Sequence, residues 1–213
     1  FEFAAYAVFD LHILKRDGAE ADYTPAEIDA AAARFSAMPG DERDRLTANI
    51  IAGLPGSEES YTLEGFRERL AAYHGIGREE LFRNLENFLE IVVPEVEAAG
   101  AVLALHPDDP PRSLFGLPRI AGTKADLERI AGMQASPANG FTLCTGSLGV
   151  HPDNDIPAII EAVGERIHFV HLRATRREED PRSFHEDAHL EGDIDMVAII
   201  RALRRLERRT GKA

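Results

Sequence analysis

The sequence predicts an α/β fold, with parallel strands covered by helices, laid out as part of a (β/α)8 barrel. Three observations carry that prediction. From residue 101 onward, short apolar runs are each followed by a polar loop and then a helix, the βα rhythm of a parallel sheet. The expected strand ends His106, Cys144 and His171 lie 38 and 27 residues apart, bracketing the roughly 31 residues per unit of an eightfold barrel of about 250 residues. Residues 1–100 instead carry apolar side chains at intervals of three and four and read as a mainly helical region. Three strands cannot close a barrel, so residues 1–213 are expected to form a single but partial barrel domain.

Taken in order, residues 1–14 are ambiguous: Phe3, Tyr6, Phe9 and Ile13 have helical spacing, yet the composition also suits a strand. Thr24-Pro25-Ala26-Glu27 is a capping box with proline in the first turn, and it opens a helix over 25–37. Further helices are expected over 41–52, 63–74 and 78–99, ending near Gly53, Gly75 and Gly100, which can adopt the left-handed terminal conformation. Pro94 is expected to kink or divide the last of them. The strands are placed at 101–106, 141–144 and 167–172, with following helices capped at Thr123, Asp155 and Asp195. The chain opens on Phe1 and closes on Lys212-Ala213 just after a helix, where the rhythm calls for another strand. A segment of a longer protein is therefore expected.

Composition narrows the function classes. Apolar and charged residues make up 44% and 29%, a globular balance. The net charge of −13 repels phosphate backbones and anionic bilayers, so neither nucleic acid nor a membrane is expected as a partner. No uncharged apolar run nears the roughly 20 residues that cross a bilayer. The lone Cys144 has no partner for an internal disulfide, which fits a cytoplasmic location. The oligomeric state is left open, a homo-oligomer being allowed.

The chemistry gathers at strand ends. Side chains alternate along a strand, so Val102, Ala104 and His106 share a face, as do Thr142 and Cys144, and Ile167, Phe169 and His171. Three good metal ligands thus finish three successive strands. A lone strand histidine is more often a hydrogen-bonded structural residue, and a lone cysteine a small buried apolar one. The coincidence of His106, Cys144 and His171 raises the metal reading to equal standing. Thiolate ligation favours Zn2+ or Fe2+, and the ion would still need a carboxylate, water or substrate to fill its shell. His168 lies on the opposite strand face, and His12, His74 and His151 lack supporting context, so these four read as structural or surface residues.

Arg112, Arg119, Arg173 and Arg176 cluster after strand ends and are local hosts for an anionic substrate, with a solvated or salt-bridged face as the alternative. Asp108 and Asp109 can orient His106, act as a base or shape a turn. Gly146-Ser147-Leu148-Gly149 is too short a glycine signal for a phosphate loop. A competing motif, His185-Glu186-Asp187-Ala188-His189, has the spacing of a zinc protease helix. It is preceded by a charged run and by the helix-breaking Pro181, and no later methionine follows Met196. A surface segment or a loop over the strand-end site is the stronger reading.

At these residues the sequence resembles mannonate dehydratase, over nearly the whole chain. The shared runs are His106-Pro-Asp-Asp-Pro-Pro-Arg112, Phe115-Gly-Leu-Pro-Arg-Ile120, Asn139-Gly-Phe-Thr-Leu-Cys-Thr-Gly-Ser147, His171-Leu-Arg173, Phe184-His-Glu186 and His189-Leu-Glu-Gly-Asp193, with upstream matches at 9–21 and 50–60. The resemblance implies a TIM barrel of the xylose-isomerase-like type whose members continue on both sides of this region. It implies dehydration of D-mannonate to 2-dehydro-3-deoxy-D-gluconate, with Mn2+ or Fe2+ held by His106, Cys144, His171 and a later Asp of a Pro-Asp-His-Gly motif. That motif is absent here, as are its His and a downstream Tyr used in proton transfer. Substrate-contact candidates are Arg173, His185, Arg112 and Ser147. A zinc protease and an inactive truncated fragment are the alternative readings.

Overall fold

The computed structural model describes residues 1–52 and 62–211. The Gly53 end of the second long helix and residues 53–60 of the upstream matched run therefore lie outside the described residues. Two compact units emerge: residues 1–76 with 114–117, and residues 77–113 with 118–211.

The first unit is helical throughout its regular elements. Helix α1 (Phe3–Val8) runs into a wider π-helical turn over Phe9–Leu14, so helical spacing prevails over strand-like composition in the ambiguous opening. A short 3-10 turn (Ala19–Asp22) precedes α2 (Pro25–Ala37), α3 (Gly40–Ala52) and α4 (Leu63–Ala71). The Thr24 capping box forms as expected, with Thr24 Oγ1 accepting from the Glu27 amide and Glu27 accepting from Thr24. Helix α4 stops three residues short of His74 and unwinds into turns ending at Gly75, whose φ of 85° requires glycine. Tyr6, Phe9, Tyr23, Phe66 and Phe115 form the aromatic heart of this unit. Beside it the fully buried Asp10 receives two hydrogen bonds from Arg16, at 2.9 and 2.7 Å, and one from the Tyr23 hydroxyl at 2.9 Å. A buried carboxylate is tolerable only when paired in this way.

That packing carries an alkaline liability. Burial pushes Tyr6 up from its ordinary value of 10 to about 12. A tyrosine whose folded pKa lies above its unfolded one contributes stability that is complete below pH 10 and lost as pH climbs through 12. The shift corresponds to roughly 2 to 3 kcal/mol. Tyrosinate absorbance followed with circular dichroism is expected to show Tyr6 ionising only as this unit unfolds; ionisation near pH 10 with the helices intact would contradict it.

The second unit holds α5 (Arg78–Ala98), β1 (Leu103–Leu105), α6 (Lys124–Met133), β2 (Asn139–Cys144), α7 (Thr145–Gly149), α8 (Ile156–Val163), β3 (Ile167–His171), β4 (Thr175–Arg177), β5 (Phe184–Glu186) and α9 (Met196–Thr210). Helix α5 belongs with the strands that follow it. Pro94 does not divide it: α5 runs through the proline, which removes a single backbone hydrogen bond, the one its N–H would have given to the Glu90 carbonyl. Strands β1, β2 and β3 pair in parallel in that order, as the βα rhythm predicts. All six residues of the central β2 are buried, the expected condition of an inner parallel strand. Thr123, Asp155 and Asp195 each accept a first-turn amide, so all three expected caps form.

The helical layer packs on one side of the sheet. Phe141 and Leu143 of β2, with the flanking Leu103 and Leu105, meet Leu127 and Ile130 of α6, Ile159 and Ile160 of α8, and Ile199 and Ala202 of α9. Each fully buried aliphatic side chain contributes about 1.5 to 3 kcal/mol. The other side of the sheet carries His106, Cys144 and His171 and leaves Val102 and Phe169 exposed. Gly140 of β2 is a point of close approach, because a Cβ there would run into the Arg166 carbonyl and the His168 ring.

Candidate metal centre

The three strand-end residues meet. Their ligand atoms all lie within 4.8 Å of one another, making one His/Cys/His group among the described residues. Parallel pairing is the reason. Cys144 and His171 are register partners at the ends of β2 and β3, and His106 stands one residue beyond β1 on the other flank of β2. Cys144 Sγ lies 3.5 Å from His171 Nδ1, and the two imidazoles stand 6.4 Å apart by ring centroid, tilted by 52°. Cys144 is buried while both histidines are exposed, so the group opens outward from a sulfur floor.

Local bonds orient these side chains. His106 Nδ1 lies 2.7 Å from the Pro107 carbonyl oxygen. A carbonyl can only accept, so Nδ1 carries the proton and Nε2 keeps its lone pair, the arrangement that prepares a histidine for a metal. His168 bonds Pro137 O at 2.8 Å, in keeping with its structural reading; the expected opposite-face placement does not hold, because the β3 register shifts between its pairings with Phe141 and Thr142, and the His168 ring fills the space beside Gly140.

Arg173 lies two residues past β3. Thr145 Oγ1 accepts from the Arg173 amide at 2.9 Å and donates to the Arg173 carbonyl at 2.7 Å, tying its backbone to the end of β2. Gly146 leaves room for its stem, since a Cβ there would lie 2.5 Å from Arg173 Cγ. The guanidinium meets Asp109 at 2.5 Å and Glu186 at 3.0 Å. Burial opposes its charge, but these carboxylates hold its pKa above the ordinary value. Thr145 and Glu186 were not singled out as partners of Arg173 by sequence spacing. Their only signal was membership in the shared runs that end at Ser147 and Glu186.

The remaining candidates fall into distinct settings. Arg112 is half-buried, and burial lowers its pKa. Arg119 bonds Asp108 at 3.4 Å, and Asp108 also accepts from the Ala121 amide, so Asp108 shapes its loop rather than orienting His106. Arg176 pairs with Asp187 at 2.8 Å. Ser147, expected among the substrate contacts, is fully buried, and its hydroxyl donates to Cys144 Sγ at 3.1 Å; its side chain faces the sulfur rather than the open side.

The zinc-protease alternative is corrected by backbone geometry. His185 lies in β5, paired antiparallel with β4, and His189 lies in the turn that follows. No helix brings them onto one face: His185 Nδ1 meets Glu178 at 2.5 Å, whereas His189 Nε2 meets the Leu172 carbonyl at 3.0 Å. The charged run and Pro181 before the motif favour this hairpin over a helix.

Residues 6–210 match the family model described as D-mannonate dehydratase (UxuA). The chain is 54% identical over 209 residues to a mannonate dehydratase of Chromohalobacter salexigens, covering 98% of this chain and 54% of the relative. It is 52% identical over 203 residues to that of Marinomonas sp., covering 95% and 52%. The chain thus spans about half the length of the curated relatives it matches. Among solved structures, mannonate dehydratase from Streptococcus suis serotype 2 aligns with a TM-score of 0.58 at 40% identity, covering 62% of this chain and 38% of that one. With a family match across nearly all of its residues, the chain belongs to the D-mannonate dehydratase family.

Proposed function

We propose that the protein dehydrates D-mannonate to 2-dehydro-3-deoxy-D-gluconate and water, with β1 to β3 as a sector of a TIM barrel. The observation that carries the proposal is the convergence of His106, Cys144 and His171 within 4.8 Å at the C-terminal ends of parallel strands, in a chain of this family. Chemistry sits at that end of such sheets. Two imidazoles and a thiolate suit a divalent transition metal, and the His106 Nδ1 bond to Pro107 leaves the other nitrogen ready. His106, Cys144 and His171 would hold Mn2+ or Fe2+, thiolate chemistry favouring Fe2+ or Zn2+. When bound, the ion supplies Lewis-acid stabilisation of the negative charge that develops as the C2 proton leaves and the C3 hydroxyl departs.

The chain's own residues bind and orient. Arg173 is the anchor for the substrate carboxylate, because its fork is fixed through Thr145 beside the metal ligands and already pairs with carboxylates. Arg112 and the β5 residue His185 supply further polar contacts. A small sugar acid in the cytoplasm fits a chain with net charge −13 that concentrates cationic side chains locally. Full-length protein incubated with D-mannonate and Mn2+ should form the 2-keto acid in a metal-dependent way; the absence of metal-dependent product would remove the proposal. Arg173→Lys is expected to raise KM by about tenfold while metal content stays constant, because an ammonium cannot reproduce the bidentate fork. Steady-state kinetics with metal analysis check this.

A further inference from the structure

We infer that Ser147 is a positioning residue for the metal centre, acting through the sulfur of Cys144; this rests on the metal-centre reading above. The hydroxyl donates to Sγ at 3.1 Å from a side chain with no exposed surface, so neither substrate nor solvent competes for it. Its placement follows from the backbone. Cys144 is the N-cap of α7, and Ser147 is the third helical residue. In an ordinary cap, the N-cap side chain accepts a first-turn amide. Here Cys144 makes no such bond, and its sulfur accepts from the Ser147 side chain instead.

Two consequences follow for a thiolate ligand. Donation to sulfur stabilises its negative charge in a buried setting, where an unpaired charge is costly. It also fixes the sulfur on the side where His171 Nδ1 lies 3.5 Å away. Outer partners of this kind orient ligands and tune affinity, and their loss weakens metal binding by roughly 10- to 100-fold. Ser147 thus acts on the ion without touching substrate.

The test uses full-length protein loaded with Co2+, whose thiolate charge-transfer band reports the Cys144 sulfur directly. Ser147→Ala is expected to weaken Co2+ binding, measured by chelator competition, by roughly 10- to 100-fold and to shift the band while retaining it. Ser147→Thr should stay close to wild type, and Ser147→Val, of equal volume without the donor, should behave as Ser147→Ala does. The Thr and Val pair separates the hydroxyl from packing if the alanine variant does not fold. Unchanged affinity and band position in Ser147→Ala, or equal behaviour of the Thr and Val variants, would overturn the inference while leaving the metal centre in place. A wild-type protein without a thiolate band would overturn the metal-centre reading itself.

Discussion

Replacing Cys144 by alanine in the full-length protein is expected to abolish divalent-metal binding at the proposed centre and to lower the proposed D-mannonate dehydration by about a thousandfold or more. The sulfur is the buried floor of the His106, Cys144 and His171 group, and no other cluster of His, Cys, Asp or Glu among the described residues is arranged to replace it. Lewis-acid stabilisation is worth several kcal/mol, and each 1.36 kcal/mol is a factor of ten in rate, so losing it removes roughly three powers of ten. Folding should be affected far less, by about 1 kcal/mol, because alanine removes a single small atom from a packed site. Metal analysis of purified variants, paired with a 2-keto acid assay and thermal unfolding, measures the three effects separately. His189→Ala serves as the contrast. Its ring bonds a backbone carbonyl outside the ligand group, so its metal content should match wild type. If Cys144→Ala retained stoichiometric metal and activity, the proposed centre would be wrong.

Phe141→Ala is expected to produce the largest loss of stability, about 3 to 5 kcal/mol, as a cavity opens where transfer energy and packing are both lost. Phe141 is 1% exposed and lies at the centre of the core shared by the sheet and the helices α6, α8 and α9. It alternates with Thr142 and Cys144, so the substitution empties the helix side of β2 without touching the ligand face. Urea unfolding should show a lower midpoint with an unchanged slope, while the folded fraction still binds metal. A loss below about 1 kcal/mol would mean that β2 is not the central strand it is taken to be.

Local signals made much of the framework readable. The capping residues Thr24, Thr123, Asp155 and Asp195 announced helix starts because a side-chain oxygen within three residues of an orphan amide is a short-range event. Alternation brought His106, Cys144 and His171 together for the same reason, whereas the register shift that displaces His168 depends on how β3 pairs with β2. Pro94 does not divide α5, because the packing of the helix against the sheet outweighs the one backbone bond that a proline removes. The His185 to His189 spacing was equally mute about its setting. A motif reports separation along the chain, whereas the pairing of β5 with β4 decides which way its side chains point.

Sequence by itself determined the order of β1, β2 and β3 with the helices between them, the caps, and the strand-end positions of His106, Cys144 and His171, because each is written in residue type and interval over a few positions; it did not show α7 or the β4–β5 hairpin. Tertiary structure alone decided that Arg173 meets Asp109 and Glu186, that Thr145 clasps its backbone, and that Ser147 turns its hydroxyl onto sulfur. Those contacts join residues on different elements, or sides of one short helix that spacing does not resolve. They exist only once packing of the helices against β1, β2 and β3 has set the strands in register.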